Sequence, residues 1–281
     1  MFKLGAHQSI AGGLDNAIER VVKIGGNCLQ IFSSSPRSWR FAKLTNKQID
    51  NFIKKAEKFL VSPIYFHASY LLNLATDDKV GQLSKLFLIN ELNLAYKLKI
   101  KGTIVHLGSY KNQAKIRKYQ VLINNIKEIL EKTPKETLFI IENAGNKKIG
   151  QNLEEIAQIF KDVNNPRLRL CLDTCHLFSS GYKFDTKQQL DQFLEKLEQL
   201  NLLDKLELWH LNDSRDLPNS GRDRHENIGQ GTIGIEEFKI LLNHPKTKNY
   251  PFIIETPGFN QEGPDKKNLD ILKSLSKDSL Y

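Results

Sequence analysis

Six separate apolar runs in this chain each stop on a residue able to ligate a metal ion. Ile64-Tyr65-Phe66 stops on His67, Thr103-Ile104-Val105 on His106, and Leu138-Phe139-Ile140-Ile141 on Glu142. Leu168 to Leu172 stops on Asp173, with His176 three residues on. Leu206 to Trp209 stops on His210, and Phe252-Ile253-Ile254 on Glu255. Buried strands that merely ended in polar residues would give a mixture of Ser, Asn, Lys and Gly. Carboxylates are seldom buried unpaired, so their recurrence beside imidazoles points to one shared site.

Two more strands, Lys3 to Ala6 and Cys28 to Phe32, bring the set to eight. Helices separate them. Leu14, Ala17, Ile18, Val21 and Val22 share one face of a helix that starts after Gly12-Gly13 and stops at Gly25-Gly26. Thr45 with Gln48, and Thr186 with Gln189, are capping boxes that open two more. Others run from Asp78 to Lys99, through Val121 to Leu130, from Asn152, from Ile235 to Leu242, and from Lys266 to Leu275. Eight strand–helix units in 281 residues, with no internal linker, predict an α/β fold: a (β/α)₈ TIM barrel forming a single domain, 1–281. An open doubly wound sheet is the alternative, although no G-x-G-x-x-G follows the first strand and no Walker loop appears. In a barrel all strands end at one rim, so residues far apart in sequence converge there.

The loop after the seventh strand adds Asp223 and His225, which point the same way if that segment is extended. Asp173 and His176 have opposite parity, so a turn between them would send them to different ions. The candidate ligands are then His67, His106, Glu142, Asp173, His176, His210, Asp223, His225 and Glu255. That is too many for one tetrahedral ion and suits two or three with a bridging carboxylate. Mixed imidazole and carboxylate donors fit Zn²⁺, with Mn²⁺ or Fe²⁺ as substitutes. His7 faces the same rim in a supporting role, and His244 belongs to the surface of the opposite rim. Cys28 and Cys171 are core residues, and Cys175 packs away from the ligands beside it.

Composition narrows the class. Three cysteines are too few for a disulfide framework and suit a reducing cytoplasm. No apolar run approaches a bilayer-spanning length, which predicts no membrane association. A net charge of +9 favours an anionic partner. No G-x-S-x-G elbow is present, which argues against a serine hydrolase.

Several stretches together resemble the endonuclease IV family of apurinic/apyrimidinic DNA-repair endonucleases. They are Gly5-Ala6-His7 with Gly12-Gly13-Leu14, His67-Ala68-Ser69-Tyr70-Leu71-Leu72-Asn73, His106-Leu107-Gly108-Ser109 and Ile141-Glu142-Asn143. Leu172-Asp173-Thr174-Cys175-His176, His210-Leu211-Asn212-Asp213, and Asp223-Arg224-His225 with Gly229-Gln230-Gly231 complete the match. Leu107 stands where the family usually has Pro.

The resemblance implies a (β/α)₈ barrel with three Zn²⁺ ions. The first ion would take His67, His106 and Glu142; the second Glu142, Asp173, His210 and Glu255; the third His176, Asp223 and His225. Glu142, Asp173 and Glu255 are the implied catalytic carboxylates. The implied reaction cleaves double-stranded DNA 5′ to an abasic site, leaving a 3′-hydroxyl and a 5′-deoxyribose phosphate, and trims blocked 3′ ends. Arg37, Tyr70 and Leu71 are the implied DNA-binding residues, which enter the minor groove and flip the abasic nucleotide. Arg215, Arg222 and Arg224 are expected on backbone phosphate. The protein would act as a monomer in the cytoplasm, nucleoid-associated if bacterial. Two other functions stay open on the sequence: a divalent-metal sugar isomerase or epimerase, and a zinc-stabilised nucleic-acid binder without catalysis.

Overall fold

Strand and helix periodicities translate directly into elements. The computed structural model of the chain describes residues 2–110 and 115–277. In chain order the first half contains β1 (Leu4–His7), α1 (Leu14–Lys23), β2 (Cys28–Phe32), α2 (Asn46–Lys58), β3 (Ile64–His67), α3 (Lys79–Lys97) and β4 (Gly102–Val105). Next come α4 (Lys115–Glu131), β5 (Leu138–Glu142), α5 (Leu153–Val163), β6 (Leu168–Asp173), α6 (Thr174–Ser179) and α7 (Lys187–Gln199). The last part holds β7 (Leu206–His210), β8 (Asp213–Ser214), β9 (His225–Glu226), α8 (Ile235–Asn243), β10 (Phe252–Ile254) and α9 (Lys266–Leu275). Both expected capping boxes are made, Thr45 with Gln48 and Thr186 with Gln189.

Eight parallel strands close in the order β1-β10-β7-β6-β5-β4-β3-β2. Because β1 pairs with both β2 and β10, the sheet has no edge, and the doubly wound alternative is excluded. The strands are apolar on both faces because both faces are buried. Inside the barrel, Cys28, Tyr65, Ile104, Ile140, Cys171, Leu208 and Ile253 form one layer. Outside it, residues such as Leu29, Phe66, Val105, Phe139, Trp209 and Phe252 pack under the helices. At β1 the inward position is Gly5, whose added Cβ would lie 1.8 Å from the Cys28 carbonyl oxygen.

Side chains alternate along a strand, so the residue two beyond each interior position also faces inward, one layer higher. Two beyond Gly5, Cys28, Tyr65 and Ile104 stand His7, Gln30, His67 and His106. Two beyond Ile140, Cys171, Leu208 and Ile253 stand Glu142, Asp173, His210 and Glu255. The apolar layer is the floor and this polar layer the lining of one bowl.

Two features depart from the sequence reading. A short helix, α6, follows β6 directly. The segment after β7 is also more than a loop: β8 and β9 pair antiparallel, with Asp213 opposite Glu226 and Ser214 opposite His225.

Candidate metal centre

Glu142 sits at the centre of the bowl and is fully buried. Its Oε2 lies 3.1 Å from His67 Nε2 and 3.2 Å from His106 Nε2. Its Oε1 lies 3.2 Å from His210 Nδ1 and 3.3 Å from His176 Nδ1. Burial pushes the Glu142 carboxyl up, but the charges of His106 and His210, with hydrogen bonds from His176 and His210, hold it well below the carboxylate range.

The ligand atoms fall into compact groups. Within 4.8 Å of one another lie atoms of His67, His106 and Glu142; of Glu142, Asp173, His210 and Glu255; and of His176, Asp223 and His225. The turn between Asp173 and His176 is the start of α6, whose N-cap is Asp173: its Oδ1 accepts the His176 N–H at 3.0 Å. That half-turn sends the carboxylate to one group and the imidazole to another.

The residues present fit divalent cations, as the hydrogen bonds of the rings indicate. His67 Nδ1 lies 2.8 Å from the Ala68 carbonyl, His176 Nδ1 2.9 Å from the Asn143 carbonyl, and His210 Nε2 2.7 Å from Gln30 Oε1. Each carbonyl-type oxygen can only accept, so those nitrogens carry the protons. The opposite nitrogens then present lone pairs toward carboxylates: His67 to Glu142, His176 to Asp223 at 2.9 Å, and His210 to Glu142, Asp173 and Glu255. His106 Nδ1, His176 Nε2 and His225 Nε2 are buried with no hydrogen-bond partner. Lone pairs facing carboxylate oxygens require a proton or a metal cation between them. In the metal-free protein, burial lowers the basicity of His176 and His210. Asp173 and Asp223 beside His176, and Cys171, Glu255 and Glu142 beside His210, override it and raise both well above an ordinary imidazole. Metal binding would displace those protons.

Comparison with known proteins agrees with this geometry. Residues 18–275 match the family described as "Xylose isomerase-like TIM barrel". A relative from Sulfurihydrogenibium sp., named "Probable endonuclease 4", is 36% identical over 282 residues, covering 99% of this chain and 100% of its own. The solved endonuclease IV of Thermus thermophilus is 30% identical with a TM-score of 0.84, covering 97% of this chain and 98% of that one.

The chain belongs to the endonuclease IV family.

A D-tagatose 3-epimerase-like protein, 21% identical with a TM-score of 0.74 over 97% of this chain and 96% of that one, shares the barrel alone.

In this member of the endonuclease IV family, the wall of the bowl rises into two fastened loops. Ser69 Oγ donates to the Pro36 carbonyl at 2.7 Å, tying the loop that carries Arg37 to the loop that carries Tyr70 and Leu71. Arg37 is exposed. Tyr70 is 66% exposed and Leu71 37%, and the Tyr70 ring stands edge-on to Phe32 at 5.5 Å. Tyr70 also lines, with His67, His106, His176, Asp223, His225 and Glu255, an open cavity of about 400 Å³ above the ligand groups.

Sequence reasoning missed the amides that hold the ligands. Gln30 donates to His7 Nδ1 at 2.8 Å and to Glu255 Oε1, and accepts from His210. Asn143 Oδ1 accepts the Asp173 N–H at 2.7 Å. Asn212 donates to Asp173 Oδ2 at 2.6 Å and accepts the Glu255 N–H at 2.7 Å. A signal existed: Gln30 interrupts an otherwise apolar strand at an inward position. His7, within 3.5 Å of Glu255 Oε1, stands beside the ligands as expected.

Three readings are corrected. His244 is buried, not a surface residue, because its Nε2 is 2.7 Å from Asp191. Cys175 does not point clear of the site: its sulfur lies within 4.8 Å of ligand atoms of Asp173 and His225, and burial pushes its thiol up to about 12. The arginines of the β8–β9 segment are not free for phosphate. Arg222 and Arg224 pair with Asp216, and Arg215 with Glu226.

Proposed function

We propose that this chain is a metal-dependent DNA-repair phosphodiesterase. It hydrolyses the phosphodiester 5′ to an abasic site in double-stranded DNA, leaves a 3′-hydroxyl and a 5′-deoxyribose phosphate, and removes 3′ blocking groups. The observation that carries the reading is the convergence of nine ligand side chains around Glu142, with lone pairs facing carboxylates, in a chain of the endonuclease IV family.

His67, His106 and Glu142 would hold one ion; Glu142, Asp173, His210 and Glu255 a second; His176, Asp223 and His225 a third. The donors suit Zn²⁺, with Mn²⁺ or Fe²⁺ as substitutes. When bound, such ions supply Lewis acidity toward phosphoryl oxygens and lower the pKa of water. Everything else is done by the protein. Glu142, Asp173 and Glu255 bring negative charge that gathers the cations. Asn143, Asn212 and Gln30 fix those carboxylates so that they need not reorganise during reaction. Tyr70 and Leu71, exposed at the mouth, would fill the space left by an extruded abasic nucleotide, and Arg37 on the fastened neighbouring loop would meet the opened duplex. The protein acts as a monomer in the cytoplasm. Among the described residues no helix is long and apolar enough to cross a membrane.

The test is incision of a duplex oligonucleotide carrying one abasic site, with and without chelator. The expected product is a 3′ end that a polymerase extends, lost with chelator and restored by zinc. An intact duplex together with metal-dependent epimerisation of a ketose would replace this reading with the sugar-enzyme alternative.

A further inference from the structure

The segment between β8 and β9 carries a charged cluster that the site itself does not use. Asp216 is 8% exposed although it lies on a surface connection. Its main chain is fixed: its N–H donates to Ser214 Oγ at 3.2 Å, and its carbonyl accepts from Ser214 Oγ at 3.1 Å and from Thr232 Oγ1. Its carboxylate receives Arg224 through two nitrogens, Nε at 2.7 Å to Oδ2 and Nη2 to Oδ1, with Arg222 Nη1 at 3.5 Å. The Arg224 carbonyl in turn accepts the Arg215 N–H at 3.0 Å.

Arg222 and Arg224 flank Asp223, and the contacts of this stretch alternate. Residues 222 and 224 turn to Asp216. Residues 223 and 225 turn to the bowl, where Asp223 Oδ1 is 2.9 Å from His176 Nε2 and 3.5 Å from His225 Nε2. In an extended backbone, holding alternate side chains on one side fixes the direction of the others. A two-pronged arginine–carboxylate contact also fixes orientation, which a single point contact does not.

We infer that Asp216 is a positioning residue: its clamp on Arg224, helped by Arg222, pre-organises Asp223 and His225 to hold the ion they share with His176. This rests on the metal reading proposed above. The clamp takes part in no chemistry. It lowers the conformational freedom that Asp223 and His225 lose on binding the ion, so its removal acts on metal retention first. It also accounts for an oddity of charge. The arginines nearest the bowl are neutralised by an internal partner and are not presented to DNA.

The experiment uses the full-length, metal-loaded protein. Asp216→Ala, Arg224→Ala and the double variant are dialysed against a series of chelator concentrations, and bound metal is counted by elemental analysis. DNA affinity for an abasic duplex is measured with zinc in excess at several salt concentrations. Each single variant should release its most labile ion at about 10- to 100-fold lower chelator, the range for outer partners of metal ligands. The double variant should be no worse than either single, because both remove one clamp. Affinity and its salt slope in excess zinc should match the parent. Should Asp216→Ala fail to fold, Asp216→Asn, which keeps the shape but not the charge, carries the same measurement.

Two results overturn the inference. Metal retention equal to the parent in the single variants removes the clamp. Arg224→Ala weakening DNA binding with a shallower salt slope, its ions unchanged, makes that arginine a phosphate contact. The parent titration reads the metal site separately: a parent with no chelator-labile ion defeats the metal reading and the clamp with it, whereas a parent that holds three ions leaves only the clamp at stake.

Discussion

Replacing Glu142 by Gln is the sharpest perturbation available, because the side chain keeps its size while its charge disappears. Each carboxylate oxygen of Glu142 meets two imidazole nitrogens at 3.1–3.3 Å. A glutamine offers one acceptor oxygen and one NH₂. Whichever way the amide turns, one pair of nitrogens loses its anionic partner and one ligand group loses its bridge. Breaking a fully buried ion pair by removing one partner costs about 3–5 kcal/mol. At about 1.4 kcal/mol per decade, that is roughly two to three and a half orders of magnitude in metal retention. Ile140, two residues back on β5, and the apolar floor are untouched, so the barrel should stay folded by far-UV circular dichroism. The assay is equilibrium dialysis of parent and Glu142→Gln protein against the same zinc-buffered chelator, followed by single-turnover incision of an abasic duplex. The variant should lose more than one ion per chain and nearly all incision. Equal metal content at equal free zinc, with incision within about threefold of the parent, would refute the bridging role.

The other expectations are separable from this one. Tyr70→Ala with Leu71→Ala should weaken capture of abasic DNA more than of undamaged DNA, by a few kcal/mol at most, since the wedge offsets flipping. Equal weakening on both duplexes, in a binding titration, would make them packing residues. His225→Ala should keep much of its abasic-site affinity while cutting far more slowly, because an interaction needed only in the transition state is lost. Parental single-turnover rates in that variant would contradict it. Glu91 on α3 is buried and accepts from Ser33 Oγ at 2.5 Å, and burial pushes its carboxyl up from 4.5 to about 8 despite that bond. The folded state therefore binds the extra proton between those values, and the stability Glu91 contributes is full below pH 4.5 and is lost as pH rises to about 8. Glu91→Gln should gain on the parent in urea unfolding over that window, by on the order of 5 kcal/mol at the upper end. Parallel pH profiles for the two proteins would show that the buried carboxyl does not titrate there.

Much of this protein is legible along the chain because two local periodicities carry it. The apolar runs ending on His67, His106, Glu142, Asp173, His210 and Glu255 announce parallel strands buried on both faces, and the closed barrel makes their ends neighbours. Capping at Thr45 and Thr186 is a three-residue matter and reads directly from sequence. What the chain could not disclose depends on contacts between distant segments. Gln30 reaches His7, His210 and Glu255 only because β2, β1, β7 and β10 surround one axis. His244 looked like a surface residue until α7 brought Asp191 against it. Arg222 and Arg224 looked like DNA contacts until the β8–β9 hairpin folded Asp216 beneath them. A residue's type and spacing determine which chemistry it can do and which side of its element it occupies. Whether its charge is offered to a partner or neutralised inside the fold is decided by what the tertiary structure packs against it, since burial and pairing are properties of neighbours.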